Sequence, residues 1–187
     1  LIGMPTRGRE GISRHLVGSV TEKVVRLSSV PVLTARMQPD EQLSFPYENV
    51  LIPTDGSPGA TRAVDHGLSL ASALGATVHA LSVVDDTSLG LDVRSTVASD
   101  AGEGAATDAI DDLVSKAEAY ELADVVRHIE HGSPVEEVLA CIESNDIDAL
   151  VMGTTGRRGT DRILLGSVAE KTVRSAPVPV ITVGESG

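Results

Sequence analysis

The sequence predicts a doubly wound α/β domain, an open five-stranded parallel sheet of Rossmann-like form with helices on both faces. Three observations predict it. After Pro46, short apolar runs alternate with segments of helical period, as successive βαβ units do. The apolar content is 41% but aromatics are only 2%, so the core is built from Val, Leu, Ile and Ala, which suits strands buried on both faces. Gly-rich or Asp-bearing turns follow several strands, where an open α/β sheet places its ligands.

The elements follow in order. Asn49 to Pro53 is a short apolar strand, and Thr54-Asp55-Gly56-Ser57-Pro58 is a turn. Ala60, Ala63, Val64, Gly67, Leu68, Ala71 and Leu74 recur at helical spacing, with Gly75 expected as a left-handed cap. Thr77 to Val84 is the second strand. Asp85 to Gly104 is polar and holds Gly and Ser; it is expected as a long surface loop before a helix from about Ala105 to Leu122. Asp124 to Glu130 reads as the third strand. Ser133 and Pro134 then open a helix whose apolar face is Val135, Val138, Leu139 and Ile142. Ala149 to Gly153 is the fourth strand, a helix runs from Val168 to about Ser175, and Val178 to Val183 is the fifth strand. Cys141, the only cysteine, is expected as buried filler, and no intramolecular disulfide is available.

The first forty residues repeat the end of this pattern. Gly18 to Thr34 and Gly166 to Thr182 agree at eleven of seventeen positions, 148 residues apart. Residues 1–38 are therefore expected as the loop, helix and strand that close a preceding repeat whose front is absent. Residues 39–46, polar and holding two prolines, are the linker, and residues 47–184 are the complete domain. The closing strands, Val30 to Ala35 and Val178 to Val183, are expected to be edge strands because of their prolines and position. Such an edge needs a partner. Either the two pair within the chain as a pseudo-dimer, or two chains pair as a homodimer.

The net charge of −12 excludes a general nucleic-acid surface, which needs a basic face, and an anionic membrane as partner. Three Lys against twelve Arg, beside 27 acidic residues, point to adaptation to high salt; an ordinary acidic cytosolic protein is the alternative. No apolar run approaches the roughly 20 residues that span a bilayer, and no signal-peptide core is visible, so a soluble, cytoplasmic protein is expected. His66, His79, His128 and His131 show no metal-like spacing, and His128 and His131 read as surface residues.

The stretch that carries chemistry is Gly153-Thr154-Thr155-Gly156, nine residues, then Gly166-Ser167. It starts where the fourth strand ends and finishes where a helix starts. Glycines let a backbone approach a phosphate, and a helix N-terminus favours an anion. Ser167-x-x-Glu170 also reads as a capping box, which is a structural device alone. Pro53-Thr54-Asp55 and Val83-Val84-Asp85 stand at the ends of two other strands and meet the same crevice.

Together, Gly-x2-Gly-x9-Gly-Ser and the aspartate after the first strand resemble the universal stress protein family. The likeness covers residues 46–184 as a whole domain and residues 1–38 as the end of a preceding one. It implies a regulatory stress-response protein that binds ATP or another adenine nucleotide. By the resemblance, Pro53, Thr54 and Asp55 flank the adenosine and Val84 meets adenine through its backbone. Met152 and Gly153 lie by the ribose, while Gly156, Gly166, Ser167 and Val168 hold phosphates. Mg or Mn bridging the phosphates is compatible, with no protein metal ligand evident. Arg157 and Arg158 sit in the loop, to meet phosphate or simply to be solvated. The first repeat departs from the motif: Gly3 to Gly8 is two residues too long, and no nucleotide is expected there.

Three alternatives stand beside this reading. A nucleotidyl transferase or ATP pyrophosphatase would carry a His-Ile-Gly-His or Ser-Gly-Gly-x-Asp-Ser signature, and a P-loop enzyme a Walker A; none is present. A receiver-like domain needs an acidic pair after the first strand, where Asp55 stands alone. The third alternative keeps the fold and binds no nucleotide, acting as a dimerising module. A slow ATPase lacks a positioned base, since the loop offers Thr154, Thr155 and Asp161 but no His or Glu.

Overall fold

A computed structural model describes residues 1–5, 19–35, 45–85, 95–122, 124–155 and 165–184. Among them, in chain order, are β1 (Ile2–Pro5), α1 (Ser19–Leu27), β2 (Val32–Ala35), β3 (Asn49–Pro53), α2 (Pro58–Leu74), β4 (Thr77–Val84), α3 (Ser95–Ala119), β5 (Val125–His131), α4 (Pro134–Ser144), β6 (Ala149–Gly153), α5 (Ser167–Ser175) and β7 (Val180–Val183). Residues 39–44 of the expected linker, with 36–38 before it, lie outside the described residues.

The strands form one seven-stranded sheet in the order β1-β2-β7-β6-β3-β4-β5. Its last five strands are the parallel sheet expected for the complete domain, and the sequence order reverses between β6 and β3. The sheet does not stop at five. β2 pairs antiparallel with β7, matching Val32 with Thr182, Leu33 with Ile181 and Thr34 with Val180; β1 then adds parallel to β2. The closing strands therefore pair with each other within the chain, one of the two arrangements expected for them, and this makes each interior to the joined sheet. Their prolines do not obstruct this, because Pro31 and Pro179 precede the paired residues and contribute only carbonyls, to Ile2 N (2.9 Å) and Leu150 N (2.9 Å).

Strand alternation feeds two cores. Val50 and Ile52 of β3 join Val64 and Leu68 of α2 and Ile110 and Leu113 of α3 on one face. Leu51, the residue between, joins Val138 and Ile142 of α4 and Ala169 and Val173 of α5 on the other. Cys141 belongs to this second core, and burial pushes its thiol up to about 11, so it is filler rather than nucleophile. α2 is capped at both ends. Ser57 Oγ accepts from Ala60 N (3.2 Å), and Gly75 takes a left-handed conformation at φ 68°.

Two local expectations fail. Residues from Ser95 to Gly104 are helix, not loop, and α3 ends at Ala119. The glycine that reads as loop at position 102 meets a packing demand, since a Cβ there would stand 2.9 Å from Val84 Cγ1. The helix stops early because Leu122 N turns back to Ala117 O (3.2 Å) while Glu121 takes φ 59°. His128 is also not a free surface residue. Its Nε2 lies 3.1 Å from Nδ1 of buried His79, with near-parallel rings 5.4 Å apart. The pair joins β4 to β5, and cross-strand contacts of this kind leave no mark in strand spacing. No helix among the described residues is long and apolar enough to cross a membrane.

Candidate functional site

The C-terminal ends of β3, β4 and β6 share one rim of the sheet, and β3 and β6 are the neighbours at which strand order reverses. In open α/β sheets this reversal opens a crevice, because the helices that follow the two strands leave on opposite faces. Here α2 packs into one core and α5 into the other.

The β3 side is a hydrogen-bonded turn. Thr54 N donates to Leu81 O (2.8 Å), which ties the chain to β4. Thr54 Oγ1 accepts from Gly56 N (3.2 Å), and Asp55 Oδ1 accepts from Ser57 N (3.0 Å). Gly56 sits at φ 74°, a conformation that favours glycine. Asp55 is thus held at the rim, half-exposed, while Thr54 is buried. On β4, Val84 is buried, and its carbonyl accepts from Gly132 N (3.0 Å).

The β6 side is the neck of the Gly-rich loop. Thr154 N donates to Val183 O (3.1 Å), and Thr154 O accepts from Gly166 N (2.7 Å), so the two ends of the loop are joined. Two motif glycines are required by close backbone contact within the protein itself. A Cβ on Gly153 would stand 2.7 Å from Gly59 O, and one on Gly166 would stand 3.1 Å from Thr154 O. Gly59 in turn has no room for a Cβ beside the carbonyl oxygen of Thr155. Gly59 and Thr154 were not legible as site residues. Gly59 reads as part of a helix start, and Thr154 reads as a variable position of the motif.

At the start of α5 the capping box does not form. Gly166 is the N-cap residue, no side chain caps the helix, and Ser167 lies one position inside it. Glu170, the expected return partner, instead pairs with Arg174 (2.6 Å). Ser167 is exposed and Val168 half-buried. The first amides of a helix have no acceptor within it, and here they point from an uncapped terminus at the rim. Ser133 likewise occupies its expected N-cap position on α4 without a side-chain cap bond.

The structure therefore brings Pro53, Thr54 and Asp55 together with Val84, Met152 and Gly153 at one rim, and joins Gly166, Ser167 and Val168 to it through Thr154. Gly156, Arg157, Arg158 and Asp161 lie outside the described residues. Among the described residues no cluster of three or more His, Cys, Asp or Glu side chains is arranged to hold a metal.

Fold and rim define a Rossmann-like module with a Gly-rich strand-to-helix loop at its switch point. The model of the universal stress protein family matches residues 1–36 and 46–184. A universal stress protein of Methanocaldococcus jannaschii is 34% identical over 140 residues, covering 73% of this chain and 82% of that protein. One from Mycobacterium tuberculosis is 31% identical over 194 residues, covering all of this chain and 62% of the relative. Among solved structures, a universal stress protein of Archaeoglobus fulgidus superposes with a TM-score of 0.69 at 27% identity, covering 100% of this chain and 62% of that one. Another, at 23% identity, TM-score 0.55 and coverage of 75% and 98%, is a universal stress protein in complex with cAMP. The chain belongs to the universal stress protein family. It spans about three fifths of the length of the longer relatives it matches.

Proposed function

We propose that this chain binds an adenine nucleotide, ATP in the first instance, in the crevice between the ends of β3 and β6, and serves in the cytoplasm as a regulatory stress-response module. One observation carries the reading: the uncapped start of α5 stands beside the rim formed by Pro53–Asp55, Val84 and Met152–Gly153. An adenosine has an aspartate at one side, and its phosphates have a helix terminus at the other. In this reading Thr54 and Asp55 flank the adenosine, with Pro53. Val84 meets adenine through its backbone, and Met152 and Gly153 line the ribose. Gly156, Gly166, Ser167 and Val168 hold the phosphates, with Arg157 beside them. The solved complex of a relative with cAMP supports an adenine ring on this fold. Mg or Mn fits as a bridge held mainly by the phosphates. Turnover is at most slow, since the loop offers Thr154, Thr155 and Asp161 but no His or Glu as general base.

One observation favours a second reading, a dimerising module without nucleotide. Gly153 and Gly166 are already required by contacts inside the protein, so they do not by themselves call for a ligand. The experiment that separates the two is release and mass-spectrometric identification of bound ligand, followed by ATP titration of the stripped chain. We also read the charge of −12 as salt adaptation, so the titration is made at low and high KCl.

A further inference from the structure

We propose that the turn after α1 forms part of the nucleotide site of the complete domain, with Ser28 as a positioning residue for its phosphate end; this rests on the nucleotide reading above. The antiparallel pairing of β2 with β7 reverses the N-terminal segment end for end. Val32, the first residue of β2, lies opposite Thr182 near the end of β7, so the turn that leads into β2 arrives at the rim of the crevice.

There it meets the neck of the loop. A Cβ on Gly184 would stand 3.0 Å from Ser28 O and 3.9 Å from Thr154 Oγ1. From Gly184 inward the backbone is hydrogen-bonded, Thr154 N to Val183 O (3.1 Å) and Gly166 N to Thr154 O (2.7 Å), while Ser28 meets Gly184 by close packing. Ser28 thus acts through Gly184 and Thr154 on the spacing between the end of β6 and the start of α5. The turn itself is held firmly. Ser28 Oγ donates to Val30 O (2.7 Å) and accepts from Val30 N (3.2 Å), and Ser28 N closes on Val24 O (2.9 Å). The equivalent positions 148 residues on are Ala176 and Pro177, which have no hydroxyl to build such a turn. The polar turn belongs only to the segment that faces the crevice.

A wall at the phosphate end affects phosphates more than the nucleoside. The test titrates ATP and adenosine into the full chain and into Gly184→Ala, Gly184→Val and Ser28→Ala, with thermal unfolding of each. Crowding at position 184 is expected to weaken ATP at least about tenfold while adenosine stays within about twofold, with Ser28→Ala moving ATP in the same direction by less. Where the valine variant does not fold, the alanine variant reads the same contact with one methyl. Equal losses for ATP and adenosine, as general destabilisation gives, overturn the proposal, and so does unchanged ATP affinity. An unaltered chain that binds neither ligand overturns the nucleotide reading, and this inference with it.

Discussion

Thr34 and Thr182 hold equivalent places on either side of the central Leu33–Ile181 pair of β2 and β7, and each donates its hydroxyl to the carbonyl of the residue directly opposite it, Val180 and Val32. Thr34 Oγ1 reaches Val180 O and Thr182 Oγ1 reaches Val32 O, both at 3.2 Å. Both threonines are buried, and they are 148 residues apart, the same offset that separates the repeated segments. The local two-fold axis therefore passes between Leu33 and Ile181. Because the two bonds are equivalent, Thr34→Val and Thr182→Val are expected to destabilise equally, each by about 1 kcal/mol in urea unfolding. No cost in either variant would mean that the pairing is held by its backbone ladder and apolar contacts alone, and unequal costs would mean that the two bonds are not equivalent.

The glycines divide by their surroundings. Gly153→Ala forces a methyl to within 2.7 Å of Gly59 O and should destabilise by about 1–3 kcal/mol. Gly104 lies within α3 with nothing within 4 Å of a new Cβ, so Gly104→Ala should stabilise by about 0.5–1 kcal/mol through helix propensity and a stiffer unfolded chain. Denaturant midpoints of the two variants should move in opposite directions.

The His79–His128 pair makes stability depend on pH. Burial lowers the pKa of both rings from their ordinary 6.5; the neighbouring ring adds to this at His79, and Glu130 partly offsets it at His128. The folded chain therefore binds fewer protons than the unfolded chain just below pH 6.5. Stability present above that pH is lost as pH falls through 6.5 towards the lower folded values, and double protonation sets one N–H against another. Thermal midpoints are expected to drop between about pH 7.5 and 5, with a smaller drop in His79→Gln. An unaltered pH profile in that variant would take the loss away from this pair; His66, whose pKa burial also lowers, is the next group to test.

The charge of −12 predicts a salt response of definite sign. At about 0.1 M salt the screening length is about 10 Å, and repulsion among the acids is felt across the surface. The melting temperature should rise steadily as KCl is raised to about 2 M. A flat profile would leave an ordinary acidic protein.

Much of the fold was legible because its signals are local. The strands Asn49–Pro53, Thr77–Val84 and Ala149–Gly153 and the left-handed Gly75 all follow from spacing and residue type. The early part of α3 was not legible, because Gly102 and its serine-bearing surroundings have poor intrinsic helix propensity, and the packing of Gly102 against Val84 is tertiary. The capping box at Ser167 misled because the pattern marks a helix start without fixing its register: Gly166 takes the cap, which leaves Ser167 and Glu170 one position too far into the helix to cap it. The site's outline was legible from Pro53–Asp55 and the loop glycines. Its supports were not: the approach of Gly59 to Thr155 and of Ser28 to Gly184 joins residues distant in the chain, and no periodicity records that.

The nucleotide reading is tested most directly by calorimetric titration of the stripped chain with ATP, beside the same titration of Gly166→Val. Binding near one ATP per chain, lost in the variant while its fold persists, is the predicted result. No heat of binding by the unaltered chain at low or high KCl, and no adenine nucleotide released on its denaturation, would contradict it and leave association as the work of this protein.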